Sequence, residues 1–361
     1  MQRQKQWPAE MDPVRLLWDM VNIRSESGAE NELAMYLILR MSQMGFQSQI
    51  DDAGNAVGIL GDGPNQLVFL GHMDTVPGGP EPKLKNGCLH GRGAVDAKGA
   101  LAAFIMSAAK TGEIPGWQIV IIGAVEEEIP TSKGARFVVS EYTPNYCVIG
   151  EPSGWNGVTL GYKGRLVMNY SFTQPQSHPA GPGDSPAEHA IHLWNRIQGE
   201  ISAYNDGIEG VFHAIQGRIP SFHAGINGDD ESAEAEFAFR LPPKVSPEEW
   251  FQRISRLHPN GAIVQLMEGI PAFQNDRRSE LVKAFGRVIR GQQEKIHYKV
   301  KTGTSDMNIV GPEWNCPIVA YGPGDSSLDH TPDEHIRLTE YQLSIDILTE
   351  VIETITGEEA E

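Results

Sequence analysis

Residues 118–125 read Gln-Ile-Val-Ile-Ile-Gly-Ala-Val, and Glu126-Glu127-Glu128 follow at once. An apolar run of strand length, with no polar alternation, suits a β-strand buried on both faces. Such a strand needs cover on each side, which points to an α/β layer with a largely parallel sheet. Three carboxylates at the end of a central strand are costly unless something positive sits there. In open α/β sheets, sites lie at that carboxyl edge.

Other predicted strands end in the same way. The strand at 66–70 runs into Gly71-His72-Met73-Asp74. Residues i and i+2 of a strand share a face, so Asp74 can reach a ring nitrogen of His72 and orient it. A histidine held by a carboxylate is a common arrangement around metal ions. Asp96 follows in the turn Gly91-Arg92-Gly93-Ala94-Val95-Asp96-Ala97-Lys98-Gly99, which opens an alanine-rich helix at 97–109. The short strand at 146–149 ends in Gly150-Glu151-Pro152, and the strand at 318–321 is followed by a loop containing His330 and Glu334. Two histidines and at least three carboxylates thus cluster after strands. Oxygen and nitrogen donors without thiolates suit Zn²⁺, and the set suffices for two ions sharing one carboxylate. A paired-metal centre makes water nucleophilic near neutral pH and polarises a carbonyl. One carboxylate is then free to act as general base.

Helical periodicity is also present at 12–20 and 29–44, with a strand at 56–60 between it and the motifs. The pattern changes after Gly161. A strand at 166–172, a helix at 187–201, strands at 212–219 and 233–241, a helix at 247–257 and a strand at 262–267 succeed one another. That order matches a split βαβ sandwich. Residues 161–271 are therefore expected to form an inserted domain, and 1–160 with 272–361 a discontinuous catalytic domain. The α/β pattern resumes with helices at 278–290 and 339–355.

The chain of 361 residues is long enough for both domains. Its formal net charge of −18 argues against nucleic acid and anionic membranes as partners. Cys88, Cys147 and Cys316 form no ligand-like cluster and no disulfide pattern, so packing roles in a cytoplasmic protein are expected. Residues 1–10 lack the apolar core of a signal peptide, no apolar run is long enough to span a membrane, and the acidic end at 358–361 is expected to be frayed and solvated.

The motifs, taken in order, resemble the dinuclear zinc amidohydrolase and peptidase family that includes acetylornithine deacetylase, succinyl-diaminopimelate desuccinylase, aminoacylase and bacterial di- and tripeptidases. The resemblance covers nearly the whole chain. It implies a zinc-exopeptidase-like catalytic domain with a ferredoxin-like insert that serves as dimerisation and lid domain. It implies two Zn²⁺, for which Co²⁺ could substitute. His72 and Glu151 would ligate one ion, Glu128 and His330 the other, and Asp96 would bridge both. Glu127 would be the general base and Asp74 would orient His72. The family shows one residue before a glutamate pair; Glu126 aligns with it, and a register one residue off is the alternative.

The resemblance further implies that His178 steadies the oxyanion in a partner subunit's site. Arg240, with Gly303, Thr304 and Ser305, would hold a substrate carboxylate; ordinary loop structure is the alternative for these four. His189 and His192 read as helix-surface residues. The segments Gly150-Glu-Pro-Ser-Gly-Trp155, Leu160-Gly-Tyr-Lys-Gly-Arg165 and Lys301-Thr-Gly-Thr-Ser-Asp-Met-Asn308 are similar to lysine/ornithine hydrolases of the amino-group-carrier-protein pathway. These release the amino acid from the γ-carboxyl of the carrier's C-terminal glutamate. The implied alternatives are an N-acetyl-amino-acid deacetylase, a desuccinylase, and a dipeptidase or aminopeptidase. An acidic carrier would require a local basic patch around Lys163, Arg165 or Arg218.

Overall fold

The computed structural model describes residues 12–178 and 180–357. The polar segment 1–10 and the acidic end 358–361 lie outside the described residues. The chain divides into two compact units. One contains the described residues of 1–161, 275–299 and 309–361; the other contains 162–274 and 300–308. Residues 300–308, which the sequence reading left with the catalytic part, pack with the insert.

The larger unit is built on a mixed sheet. Its spatial order is Gln47–Ile50, Ala56–Leu60, Trp117–Ala124, Asn65–His72, Tyr146–Gly150, Ile318–Tyr321 and Gly157–Tyr162. The four strands from Trp117–Ala124 to Ile318–Tyr321 are parallel. Consecutive residues from Leu67 to His72 and from Ile119 to Ala124 are buried, as the unbroken apolar pattern requires. Helix Lys98–Thr111 packs on Asn65–His72 and on the last helix, Leu338–Gly357. Gly150 makes a close approach possible: a Cβ there would lie 2.9 Å from both the Gly71 Cα and the Phe104 ring. The parallel strands finish level, with His72 beside Ala124, and Gly150 beside both Gly71 and Tyr321. Four chain segments therefore leave the sheet at one edge.

The smaller unit has a four-stranded antiparallel sheet ordered Gln216–Asn227, Asp230–Leu241, Gly164–Pro175, Ile263–Ile270. With helices Pro186–Asn205 and Pro247–Ser255 after its first and third strands, this is the ferredoxin-like order. Helix Pro186–Asn205 starts with a capping box, Ser185 and Glu188 each accepting from the other's backbone. Leu166, Met168, Tyr170, Phe237, Phe239 and Leu241 form a core with Leu193, Ile197, Trp250 and Ile254. Alternation sends Arg165, Glu236, Ala238 and Arg240 to the opposite face.

One strand departs from expectation. The predicted strand at 212–219 is a 3₁₀ turn at Val211–His213, and the strand begins at Gln216 and runs to Asn227. Phe212 and Ile215 are buried without being in a strand, which is what misled the apolar pattern. His192 is exposed and paired with Asp184 at 3.1 Å, while His189 stands edge-on to the Phe172 ring.

Lys163 is fully buried, and its Nζ donates to the Val211 and Ala214 carbonyls and to Gln216 Oε1. It is a structural cation, not part of a basic surface. Burial, reinforced by Arg240, lowers its pKa to about 8 from an ordinary 10.5. Between those values the unfolded chain binds more protons than the folded one, so stability should rise with pH across that window and lose this contribution as pH falls toward 8. Thermal unfolding of wild type and Lys163→Met over this range checks it. The difference between the two profiles should vary with pH, and a constant offset would refute the assignment.

Candidate metal centre

All five predicted ligands and the predicted base lie in the larger unit, at the edge where the parallel strands end. His72 closes its strand, Glu127 and Glu128 follow Trp117–Ala124, and Glu151 follows Tyr146–Gly150. His330 lies in the loop after Ile318–Tyr321, and Asp96 in the turn before helix Lys98–Thr111. Their donor atoms form three groups, each within 4.8 Å: His72 with Asp96 and Glu151, Asp96 with Glu128 and His330, and His72 with Glu127 and Glu128.

Asp96 links the first two groups. Its Oδ1 lies 3.3 Å from His72 Nε2 and its Oδ2 lies 3.0 Å from His330 Nε2. His330 Nε2 is also 3.0 Å from Glu128 Oε1. Burial alone would raise the Asp96 pKa, but hydrogen bonds from His330 and His72 outweigh it and hold the carboxyl low. Hydrogen bonds to Asp96 and Glu128 raise His330 to about 10. Burial opposes the rise at His72, but Asp74 and Asp96 still draw it well above the ordinary histidine value. Both histidines thus lie in a field that attracts positive charge. A carboxylate with one oxygen toward each imidazole, and further carboxylates on either side, is a donor set that fits two cations of the zinc type.

Buried carboxylates hold the frame. Asp74 is fully buried, accepting the Glu127 N–H on Oδ1 and the Glu128 N–H on Oδ2, each at 3.0 Å. Ser27 donates its hydroxyl to Oδ2 at 2.7 Å. His72 Nδ1 meets the Asp74 carbonyl at 2.9 Å and its Oδ1 at 3.5 Å. Glu30 accepts the Glu126 N–H. Three successive N–H groups are thereby fixed. Glu126 turns away and accepts from Thr131 Oγ1 at 2.6 Å. Glu127 and Glu128 are the two that come within reach of the histidines. Glu126 and His330 both have positive φ, 59° and 61°, a conformation that non-glycine residues adopt at some cost and that recurs at functional sites.

Two supports were not foreseen. Glu334, fully buried, pairs with Arg92 and accepts the N–H groups of Val95 and Asp96. Arg92 also reaches the His330 carbonyl at 3.4 Å. Lys98 Nζ donates to the carbonyls of Met20 and Ile23, at the end of helix Pro13–Asn22, and burial lowers its pKa to about 7. Their residue types stood in the motifs, but sequence gives no sign of an ion pair between residues 92 and 334.

The remaining predicted residues lie in the smaller unit. Arg240 Nη1 donates to Thr304 Oγ1 at 3.2 Å, and Gly303 lines a cavity with Arg240. Ser305 is buried; its Oγ accepts the Met307 N–H and its own N–H goes to Asn308. His178 is exposed in the loop before helix Pro186–Asn205, with Nδ1 accepting the Ala180 N–H.

The sequence profile of peptidase family M20/M25/M40 matches residues 68–354. The chain belongs to this family. A [LysW]-lysine hydrolase of Deinococcus radiodurans is 40% identical over 349 residues, covering 95% of this chain and 96% of the relative. A putative [LysW]-lysine/[LysW]-ornithine hydrolase of Thermococcus kodakarensis is 40% identical over 347 residues, covering 96% and 93%. Among solved structures, the aminopeptidase PepT from Bacillus cereus superposes with a TM-score of 0.78 at 20% identity, covering 96% of this chain and 98% of that one. The M20 family metallo-carboxypeptidase Sso-CP2 from Sulfolobus solfataricus gives 0.76 at 16% identity, covering 96% and 99%. These two share the M20 fold with this chain. The chain is accordingly a metal-dependent hydrolase of the M20 type. No helix among the described residues is long and apolar enough to cross a membrane.

Proposed function

We propose that this M20 hydrolase releases lysine, ornithine or both from the γ-carboxyl of the C-terminal glutamate of a carrier protein, as a cytoplasmic homodimer in lysine or arginine biosynthesis. The observation that carries the hydrolytic chemistry is Asp96 with one oxygen toward each of two histidines. The names of the 40%-identical relatives carry the choice of substrate.

His72, Asp96 and Glu151 would hold one zinc ion, and Asp96, Glu128 and His330 the other. Such a pair supplies a water that is nucleophilic near neutral pH and polarises the amide carbonyl. Asp74 keeps the His72 ring oriented. Glu127 takes the proton of the attacking water and passes it to the lysine nitrogen as the C–N bond breaks. His178, contributed by the second copy in the dimer, donates to the oxyanion. Arg240, with Gly303 and Thr304, holds a substrate carboxylate. Ser305 acts with them: its Oγ accepts the Met307 N–H, which fixes the loop and leaves its O–H able to donate.

The test is a release assay on zinc-loaded protein, comparing carrier protein that bears γ-linked lysine or ornithine with N-acetyl-lysine and N-acetyl-ornithine. A preference for the carrier conjugate of orders of magnitude in kcat/KM is expected. Equal or better turnover of the free acetylated amino acids would make the chain a general deacetylase. Dialysis against a chelator should abolish turnover and lower Tm, and zinc or cobalt should restore both.

A further inference from the structure

The open face of the four-stranded sheet carries a cavity of about 870 Å³, lined among others by Arg165, Arg218, Arg240, Glu236, Thr302 and Gly303. Three guanidinium groups on one sheet face are unusual in a chain whose net charge is −18. Arg165 and Arg240 are paired directly across adjacent strands. Like charges placed so are destabilising unless something offsets them. Arg218 is opposite Ala238, two residues from Arg240 on the same strand, so all three share the face.

The protein offsets little of this charge. Arg165 meets Glu268 at 3.3 Å. Arg240 has the neutral Thr304 hydroxyl. The Arg218 side chain makes no hydrogen bond or ion pair among the described residues, and Glu236, in the same cavity, pairs with none of the three. Burial lowers the Arg240 pKa, Arg165 and Arg218 add to that effect, and Glu268 opposes it without cancelling it. Glu268 is thus shared between Arg165, which it pairs, and Arg240, which feels its charge, so Arg218 and Arg240 have no ion pair of their own. The complement is a pair of carboxylates, which guanidinium groups recognise by paired, charge-assisted hydrogen bonds.

We propose that this cavity binds a ligand bearing two carboxylates, Arg240 holding one and Arg218 the other, while Arg165, across the ladder from Arg240, adds to the positive field at both. The inference rests on the proposed function for the ligand's identity. An amide at the γ-carboxyl of a C-terminal glutamate leaves the glutamate α-carboxylate free, and the released amino acid carries its own. An N-acetylated amino acid has only one. Arg218 and Arg165 are then specificity residues that distinguish γ-glutamyl conjugates from simple acyl amino acids.

The test uses a probe that cannot be hydrolysed: the reduced-amide isostere of γ-glutamyl-lysine, and the same compound with the glutamate α-carboxylate converted to an amide. Binding of each to zinc-loaded wild type, Arg218→Gln and Arg165→Gln is measured by calorimetry. Wild type should bind the dicarboxylate about tenfold or more tightly than the amide. Arg218→Gln should erase that preference while leaving affinity for the amide nearly unchanged, and Arg165→Gln should reduce it. Both variants alter a sheet face outside the core, and an unchanged Tm confirms that they fold. Equal wild-type binding of the two probes overturns the proposal, as does a preference that survives Arg218→Gln. Because no turnover is needed, the outcome is separate from that of the release assay. A carrier conjugate that is not hydrolysed refutes the proposed function, whereas equal binding of the probes refutes the second carboxylate subsite.

Discussion

Glu127→Gln should retain its full metal content and lose about 10²–10⁴-fold in kcat, the range expected when a positioned proton carrier is removed. Glu128→Gln should instead lose metal. The two residues are neighbours, and the difference lies in their surroundings. Glu128 Oε1 is 3.0 Å from His330 Nε2, in the group that includes Asp96. Glu127 falls in the third group, with His72 and Glu128, and not in either of the two that contain Asp96. Glu126 is occupied with Thr131, so Glu126→Gln should alter neither metal content nor kcat by more than a few fold. Metal stoichiometry by elemental analysis, beside steady-state kinetics of the three variants, decides the matter. If Glu127→Gln lost an ion while Glu128→Gln kept both, the two roles would have to be exchanged.

Asp74→Asn should produce the largest loss of stability among single isosteric changes at this edge. Both Asp74 oxygens accept from donors: Glu127 N–H on one, Glu128 N–H and the Ser27 hydroxyl on the other. The amide turns one acceptor into a donor that faces donors, at a fully buried position. Burial raises the Asp74 pKa, but its hydrogen bonds and the nearby His72 outweigh this, so the native partner is an ionised carboxylate. Removing that charge beside His72 and leaving a buried N–H unpaired costs about 3 kcal/mol. A domain of this size should then show a Tm lower by roughly 6–12 °C. Activity should fall with it, because the backbone that aims Glu127 and Glu128 is held by the same two oxygens. Calorimetric unfolding of the metal-free forms isolates the stability term. An unchanged Tm would show that Asp74 acts on the His72 ring alone.

The sequence made the centre legible because its chemistry sits at strand ends. An apolar run followed at once by charge marks the place where a buried strand reaches the surface. Trp117–Ala124, Asn65–His72 and Tyr146–Gly150 show it, whereas Ile318–Tyr321 leads through Gly322-Pro323-Gly324 before its first charge. The Glu126 register was open because three identical side chains in a row carry no distinguishing pattern. It depends on Thr131 and Glu30, whose part is visible only in three dimensions. Helix Met307–Trp314 went unread because it is short and contains Pro312. Strand Gln216–Asn227 was displaced in the reading because it is an exposed edge strand, with Phe222 and Ile226 open to solvent and no apolar alternation to follow. The Arg92–Glu334 pair joins positions that local patterning cannot connect. The return of residues 300–308 to the insert belongs to the same class. Asn308 fastens it there by donating to the Lys163 and Pro271 carbonyls.

The level ends of the four parallel strands also set an order of events during folding. The donors come from residues 72, 96, 128, 151 and 330, so the centre is assembled almost wholly from contacts distant in sequence. Such contacts form late, after the loops between them have closed. Until Ile318–Tyr321 joins Tyr146–Gly150, the loop bearing His330 has no fixed place, and a nascent chain can offer only part of the set. Under the proposed ligand set, ion capture by both groups would therefore mark completion of the sheet. Ions held by these residues as proposed would tie the last of these strands to the first and slow the opening of the edge assembled last.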